Sequence, residues 1–338
     1  MNSSRRQLVL ALDTDFNLDV ETPILRAAAV ELRRVPADDL TTLSEQTLER
    51  TVGLFVQWSA VTETIMDLFP NLRAIGRVGV GVDLIDLGAA TRRGVWVVTA
   101  GDYATEEVSA HALMLMLATL RRLPTFMEVV AQGAWPTNDL LSGIPRLSGL
   151  AVGVVGAGRI GRRFGALCTA LGMRVVVYDP YTATDLPSVD SLEALLQTAD
   201  VVSLHVPLTD DTVHMIGAAE FALMKPGAVL VNVSRGGLID EQALVLALER
   251  GRLGGAALDV FAEEPLPLDH PLMRSERVIA TPHVAYASKD TLLEVRSRPV
   301  RDIVAVLRGA PPQNPANHPV TSSQRSTASP EPGGEPPR

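Results

Sequence analysis

The sequence predicts an α/β chain with two doubly wound parallel sheets. Three observations point there. Short β-branched runs alternate with helix-like segments through the first hundred residues, and the alternation restarts with stronger strands at Ala151. Between the first and second of those later strands lies a Gly-x-Gly-x-x-Gly turn, Gly156 to Gly161, opening a helix. The 338 residues, 46% apolar, suffice for two cores.

In the first half the expected strands are 8–13, 52–57, 73–78 and 95–99, with helices over 22–33, 43–50, 61–68 and 85–93. A long helix is expected over 105–123. Thr105 is placed to cap it, Glu106 and Glu107 suit its positive end, and Arg121 and Arg122 suit its negative end. Its Leu/Met stripe suits either a core or a subunit interface. In the second half strands are expected at 151–155, 174–179, 201–206, 228–233, 256–261 and 278–281. A last helix over 289–308 contains Pro299, which is expected to kink or divide it. The Pro/Ser/Gly/Glu-rich residues 321–338 cannot bury a core and are expected to be disordered.

Bulk properties narrow the partners. A net charge of −9 opposes a nucleic-acid partner held by phosphate contacts. The single cysteine, Cys168, rules out an intramolecular disulfide and is expected as a buried structural thiol. No N-terminal segment reads as a secretion signal, and the longest apolar helical stretch, 110–120, is shorter than the ~20 residues a bilayer requires. A cytoplasmic protein without a membrane partner is the expectation.

The glycine turn has a physical reading. The first glycine makes the tight turn, the second lets a pyrophosphate approach the backbone, and the third lets helix and strand pack closely. Asp179, 18 residues after Gly161, ends the next strand, where its carboxylate can accept the adenosine ribose hydroxyls and repel a 2′-phosphate. NAD is therefore the expected cofactor.

Other polar groups fall just past the carboxyl ends of strands, where open α/β sheets place ligands. Residues 228–233 run into Ser234 and Arg235, 256–261 into Glu263 and Glu264, and 278–281 into Pro282 and His283. A guanidinium can hold a substrate carboxylate by two hydrogen bonds. A histidine can give a proton to a forming alkoxide, and a carboxylate can keep that imidazole protonated and oriented. Each residue alone suits an ordinary loop. Their joint placement suits reduction of a 2-keto acid. His205 is expected in packing, His111 in helix packing or an interface, and no histidine–acid spacing suggests a metal.

Residues 73–317 resemble the D-isomer-specific 2-hydroxyacid dehydrogenases, the family of phosphoglycerate, glycerate and D-lactate dehydrogenases. The resemblance rests on RVGVGVDLIDL (77–87), RLSGLAVGVVGAGRIG (146–161), HVPLTDDTVHMI (205–216), MKPGAVLVNVSRGGLID (224–240), ALDVFAEEPLP (257–267) and ATPH (280–283). It implies catalytic roles for Arg235, Glu264 and His283. Substrate contacts are implied at Val78, Gly79, Val80 and Arg235. Cofactor contacts are implied at Gly156, Gly158, Arg159, Ile160, Gly161, Asp179, Val206, Pro207, Thr212, Val233, Ser234, Asp259, His283 and Ala285.

The resemblance also implies a Rossmann cofactor domain, 103–289, inserted into a flavodoxin-like substrate domain of 1–102 with 290–320, the cleft between them closing to exclude water. A homodimer through the 105–123 helix region is implied too. The expected function is hydride transfer between nicotinamide and C2 of a small 2-keto or D-2-hydroxy acid. The stretch GDYATEEVSAHAL and the ending RGAPPQNP look most like the branch of C-terminal-binding proteins, so the alternative is an NAD(H)-binding regulatory scaffold. Leu84, Val80, Ala110 and Ala285-Tyr286 depart from the family's usual residues and leave the substrate open.

Overall fold

The structure, a computed structural model, describes residues 6–319, so the tail expected at 321–338 lies outside the described residues. The chain divides after Tyr103 and again after Ser288, and Ala104–Ser288 forms a compact unit of its own within the sequence of the other.

The first unit carries a five-stranded parallel sheet of β1 (Leu8–Leu12), β2 (Glu31–Val35), β3 (Thr51–Val56), β4 (Ala74–Arg77) and β5 (Trp96–Val98), in the order β2-β1-β3-β4-β5. Every residue of β1 and β3 is buried, because a parallel strand covered on both faces must be apolar throughout. β2 departs from the expected helix over 22–33. The helix runs only Glu21–Ala27, Ala29 turns the chain at φ 61°, and Glu31–Val35 pairs along β1. This is an edge strand, so Glu31, Arg33 and Arg34 stay wet and its apolar signal is weak.

The last helix, Thr291–Leu307, runs through Pro299 without dividing. It lies so close to β4 that a Cβ on Gly76 would come within 2.7 Å of Ile303 Cδ1 and 3.3 Å of Pro299 Cβ. That packing outweighs the hydrogen bond the proline cannot make.

The second unit carries β6 (Ala151–Val155), β7 (Arg174–Tyr178), β8 (Val201–Leu204), β9 (Ala228–Asn232), β10 (Leu253–Leu258) and β11 (Val278–Ala280), all paired in parallel in the order β11-β10-β9-β8-β6-β7. Ser188 extends the sheet beyond β7 through a single parallel bridge to Val177. With that bridge in the third-strand position, the order matches the doubly wound dinucleotide fold, whose switch point falls between β6 and β8.

The long helix spans Thr105–Leu120 rather than 105–123. Arg122 breaks it at φ 51°, and a second helix, Leu123–Ala131, follows. Ala104 holds the N-cap position without a side-chain bond, so Thr105 does not cap. Ala112, Leu115, Met116 and Leu120 are buried while Met114 is exposed, so the Leu/Met stripe is core only in part. Among the described residues, no helix is long and apolar enough to cross a membrane, and no group of three or more histidine, cysteine or acidic side chains is arranged to hold a metal ion.

Candidate active site

The glycine turn sits at the switch point of the second sheet. Gly156 has φ 99°, and a Cβ there would lie 2.5 Å from the His205 carbonyl oxygen at the end of β8. A Cβ on Gly161 would lie 2.0 Å from the Gly156 oxygen, so the helix Arg159–Ala170 can start there only with glycine. Gly158 differs, because a Cβ on it would meet nothing within 4 Å. The protein itself does not require glycine at 158, whereas a close-lying pyrophosphate would. The helix carries no acid in its first turn, leaving its positive end open to an anion. The residues present thus fit a dinucleotide.

Asp179 has a structural task beyond the expected one. Its Oδ2 accepts the Ala157 N–H at 2.7 Å, and its Oδ1 accepts Tyr181 N–H at 2.8 Å and Thr182 N–H at 2.9 Å. Burial raises its pKa, but these amide bonds more than compensate and hold it below the ordinary aspartate value. The same carboxylate therefore fixes the turn between the first two glycines.

At the far strand ends, His283 Nδ1 lies 2.7 Å from Glu264 Oε2, with each side chain about a third exposed. Glu264 Oε1 accepts the Phe261 N–H at 2.9 Å. Burial raises the Glu264 carboxyl. The hydrogen bonds from His283 and Phe261 and the charges of His283 and Arg235 outweigh that and hold it below the usual glutamate value. Arg235 follows β9, its Nη1 donating to the Ser234 oxygen at 2.7 Å. The Arg235 loop is fixed by Asn232, whose Nδ2 donates to the Arg235 carbonyl at 2.8 Å. Three strands thus bring a guanidinium, a carboxylate and an imidazole to one edge.

His283 adopts φ 53°, an unusual backbone for a non-glycine residue. Asp259, fully buried at the end of β10, imposes that bend. Its carboxylate accepts the Val284 N–H at 3.0 Å, the Ala285 N–H at 2.8 Å and the Thr281 hydroxyl at 2.6 Å, while its backbone oxygen accepts the His283 N–H at 2.8 Å. Burial raises the Asp259 carboxyl, and the bonds from His111, Thr281, Ala285 and Val284 bring it below its ordinary value. Asp259 and Ala285, expected at the cofactor, are thus bound to each other.

His111, expected in helix packing or an interface, joins its helix to the strand ends through polar contacts. Its Nε2 lies 3.0 Å from Thr281 Oγ1 and 3.5 Å from Asp259 Oδ1. A buried acid ending a strand of small apolar residues was the available signal. His205 matches its expected packing role, its ring 5.1 Å from the Phe164 ring and tilted 45° to it, with Nε2 2.9 Å from Ser203 Oγ, and burial lowers its pKa to about 3. Burial likewise pushes the Cys168 thiol up to about 12, in keeping with a structural role.

The remaining expected cofactor residues flank the switch point. Val206 and Pro207 follow β8, and Thr212 closes the turn after it by donating to the Pro207 oxygen at 2.8 Å. Val233 and Ser234 follow β9, with the Ser234 hydroxyl on the Leu204 oxygen at 2.8 Å. Arg159 and Ile160 open the helix after Gly158. Val78, Gly79 and Val80 belong to the first unit, just past β4, where Gly79 has φ 120° and its oxygen accepts the Ala100 N–H at 2.8 Å.

Comparison with known proteins places the chain in a family. Residues 113–285 match the model of the D-isomer specific 2-hydroxyacid dehydrogenase, NAD binding domain. The chain is 39% identical over 265 residues to a D-3-phosphoglycerate dehydrogenase of Archaeoglobus fulgidus, covering 77% of this chain and 50% of that protein. It thus spans about half the length of that relative. It is 37% identical over 256 residues to a glyoxylate reductase of Thermofilum pendens, covering 73% of this chain and 76% of the relative. The crystal structure of a D-lactate dehydrogenase from Aquifex aeolicus, complexed with NAD and lactic acid, is similar at TM-score 0.79 and 30% identity, covering 89% of this chain and 96% of that one. These names give no support to the regulatory-scaffold alternative or to the C-terminal-binding-protein branch specifically. The chain belongs to the D-isomer-specific 2-hydroxyacid dehydrogenase family.

Proposed function

We propose that the protein reversibly reduces a small 2-keto acid to the D-2-hydroxy acid with NADH. The observation that carries this reading is the 2.7 Å contact between His283 Nδ1 and Glu264 Oε2 on the sheet edge that also bears Arg235. With Nδ1 directed at the carboxylate, the imidazole is oriented to act as the proton donor in this reading. Arg235 holds the substrate carboxylate and polarises the neighbouring carbonyl. His283 donates a proton to the oxygen as C2 is reduced, and Glu264 stabilises the imidazolium that makes this donation possible. The bound dinucleotide supplies the hydride. In the oxidative direction the same imidazole accepts the hydroxyl proton.

Asp179 favours NAD over its 2′-phosphorylated form by charge. In the first unit, the Val78–Gly79–Val80 turn is proposed to contact substrate through its backbone. We also propose a homodimer. The support is an apolar row on and after the helix Leu123–Ala131, where Met127 is 63%, Val130 64% and Trp135 85% exposed. Met127→Glu is expected to give a monomer by light scattering, and an unchanged mass would count against that face.

The test of function is NADH oxidation with glyoxylate, pyruvate, hydroxypyruvate and phenylpyruvate. Turnover of at least one, abolished in His283→Ala, is expected. Tight NADH binding with no turnover of any keto acid would instead favour the scaffold.

A further inference from the structure

Two consecutive amides, those of Phe261 and Ala262, join the halves of the catalytic set. The Phe261 N–H holds Glu264 Oε1 at 2.9 Å. On the following peptide, Gly236 presses from the Arg235 side. A Cβ on Gly236 would lie 1.9 Å from Phe261 C, 2.1 Å from its oxygen and 2.3 Å from Ala262 N. The Ala262 N–H is held by a side chain outside the catalytic set, Glu241, whose Oε1 accepts it at 2.7 Å. We propose that Glu241 is a positioning residue, fixing the Phe261–Ala262 backbone and through it the placement of Glu264 relative to Arg235.

Glu241 is well supported for this task. It opens the helix Glu241–Glu249, whose positive end favours a carboxylate. Asp240 caps that helix by accepting the Ala243 N–H at 3.0 Å, and the Asp240 N–H is tied to the Ile216 oxygen at 3.0 Å. The Glu241 side chain is only 14% exposed, and its second oxygen lies 3.7 Å from His270 Nε2. His270 Nδ1 accepts the Leu272 N–H at 3.3 Å, which leaves the ring proton on Nε2, facing Glu241. Both oxygens of Glu241 therefore have a donor in front of them. A group held in this way moves little, and an error of about one ångström at a reacting centre costs on the order of 10²-fold in rate.

The inference rests on the catalytic reading of Glu264 and His283. Steady-state reduction of glyoxylate or hydroxypyruvate, whichever turns over faster, tests it. Glu241→Ala is expected to lower kcat about 10–100-fold with little change in the NADH dissociation constant measured by fluorescence. The alkaline fall of kcat/KM is expected to move to lower pH, because Glu264 is no longer held against His283. Glu241→Gln keeps an oxygen that can accept the Ala262 N–H and is expected to recover most of the activity. Full activity in Glu241→Ala, or equal loss in both variants with an unmoved pH profile, overturns the proposal. His283→Ala in the same assay separates the two claims. A fully active His283→Ala sinks the catalytic reading, whereas an inactive one beside a fully active Glu241→Ala sinks only the role of Glu241.

Discussion

Glu264 faces His283 with one carboxylate oxygen, 2.7 Å from Nδ1, and holds the Phe261 amide with the other at 2.9 Å. The carboxylate is thus fixed to the backbone before it acts on the imidazole. Burial raises its pKa, and the His283 and Phe261 bonds with the nearby positive charges lower it further than burial raises it. A carboxyl held below its ordinary value stays ionised as the pH falls, and the pair is lost only when the pH passes through that lowered value. Keto-acid reduction is therefore expected to persist at mildly acidic pH. In Glu264→Gln the negative charge is gone, so the alkaline decline in kcat/KM should begin at lower pH than in wild type. A profile taken from about pH 4 to 10 checks this, and coincident profiles would show that the two residues are not coupled.

The glycines of the turn should respond differently to a methyl group. Gly161→Ala places a Cβ against the Gly156 oxygen and should destabilise the fold, lowering the melting temperature. Gly158→Ala adds a Cβ to open space, so the melting temperature of the free protein should hold while NADH affinity falls at least about tenfold. Unaltered NADH affinity in Gly158→Ala would contradict the assignment of that opening to the pyrophosphate.

Asp179 combines cofactor choice with support of the turn. Removing its carboxylate frees the Ala157 amide as well as the ribose site. Asp179→Ala is expected to weaken NADH binding and to narrow the difference between NADH and NADPH. Asp179→Asn retains an acceptor for Ala157 and should narrow the difference with a smaller loss of NADH affinity. Equal kcat/KM for both coenzymes in the wild type would remove Asp179 as the selector.

Much of this was legible in the sequence, for a physical reason in each case. Parallel strands buried on both faces leave continuous apolar runs, and β6 and its glycine turn read directly. Arg235 and Glu264 stood out because each follows such a run, and His283 because it follows the short apolar edge strand Val278–Ala280. β2 did not, since an edge strand with three charged residues in five resembles a wet helix face. The unbroken passage through Pro299 depends on contacts with Gly76, far away in the chain, which local propensity does not carry. The partners of His111 and Glu241 were not legible for a related reason. Thr281 lies far from His111 in sequence, and Ala262 offers Glu241 a backbone amide with no side-chain signature.

The central claim is that Arg235 grips a substrate carboxylate while His283 protonates the adjacent oxygen. The most direct measurement compares kcat/KM for a 2-keto acid and for the methyl ketone lacking its carboxylate, in wild type and in Arg235→Lys. A lysine supplies the charge without the two-pronged fork, so the contact that tightens as the oxygen gains charge should weaken by about 10²-fold. Wild type is expected to prefer the acid strongly, and Arg235→Lys to lose most of that preference with NADH affinity little changed. An Arg235→Lys enzyme that keeps the full preference for the acid would contradict the account.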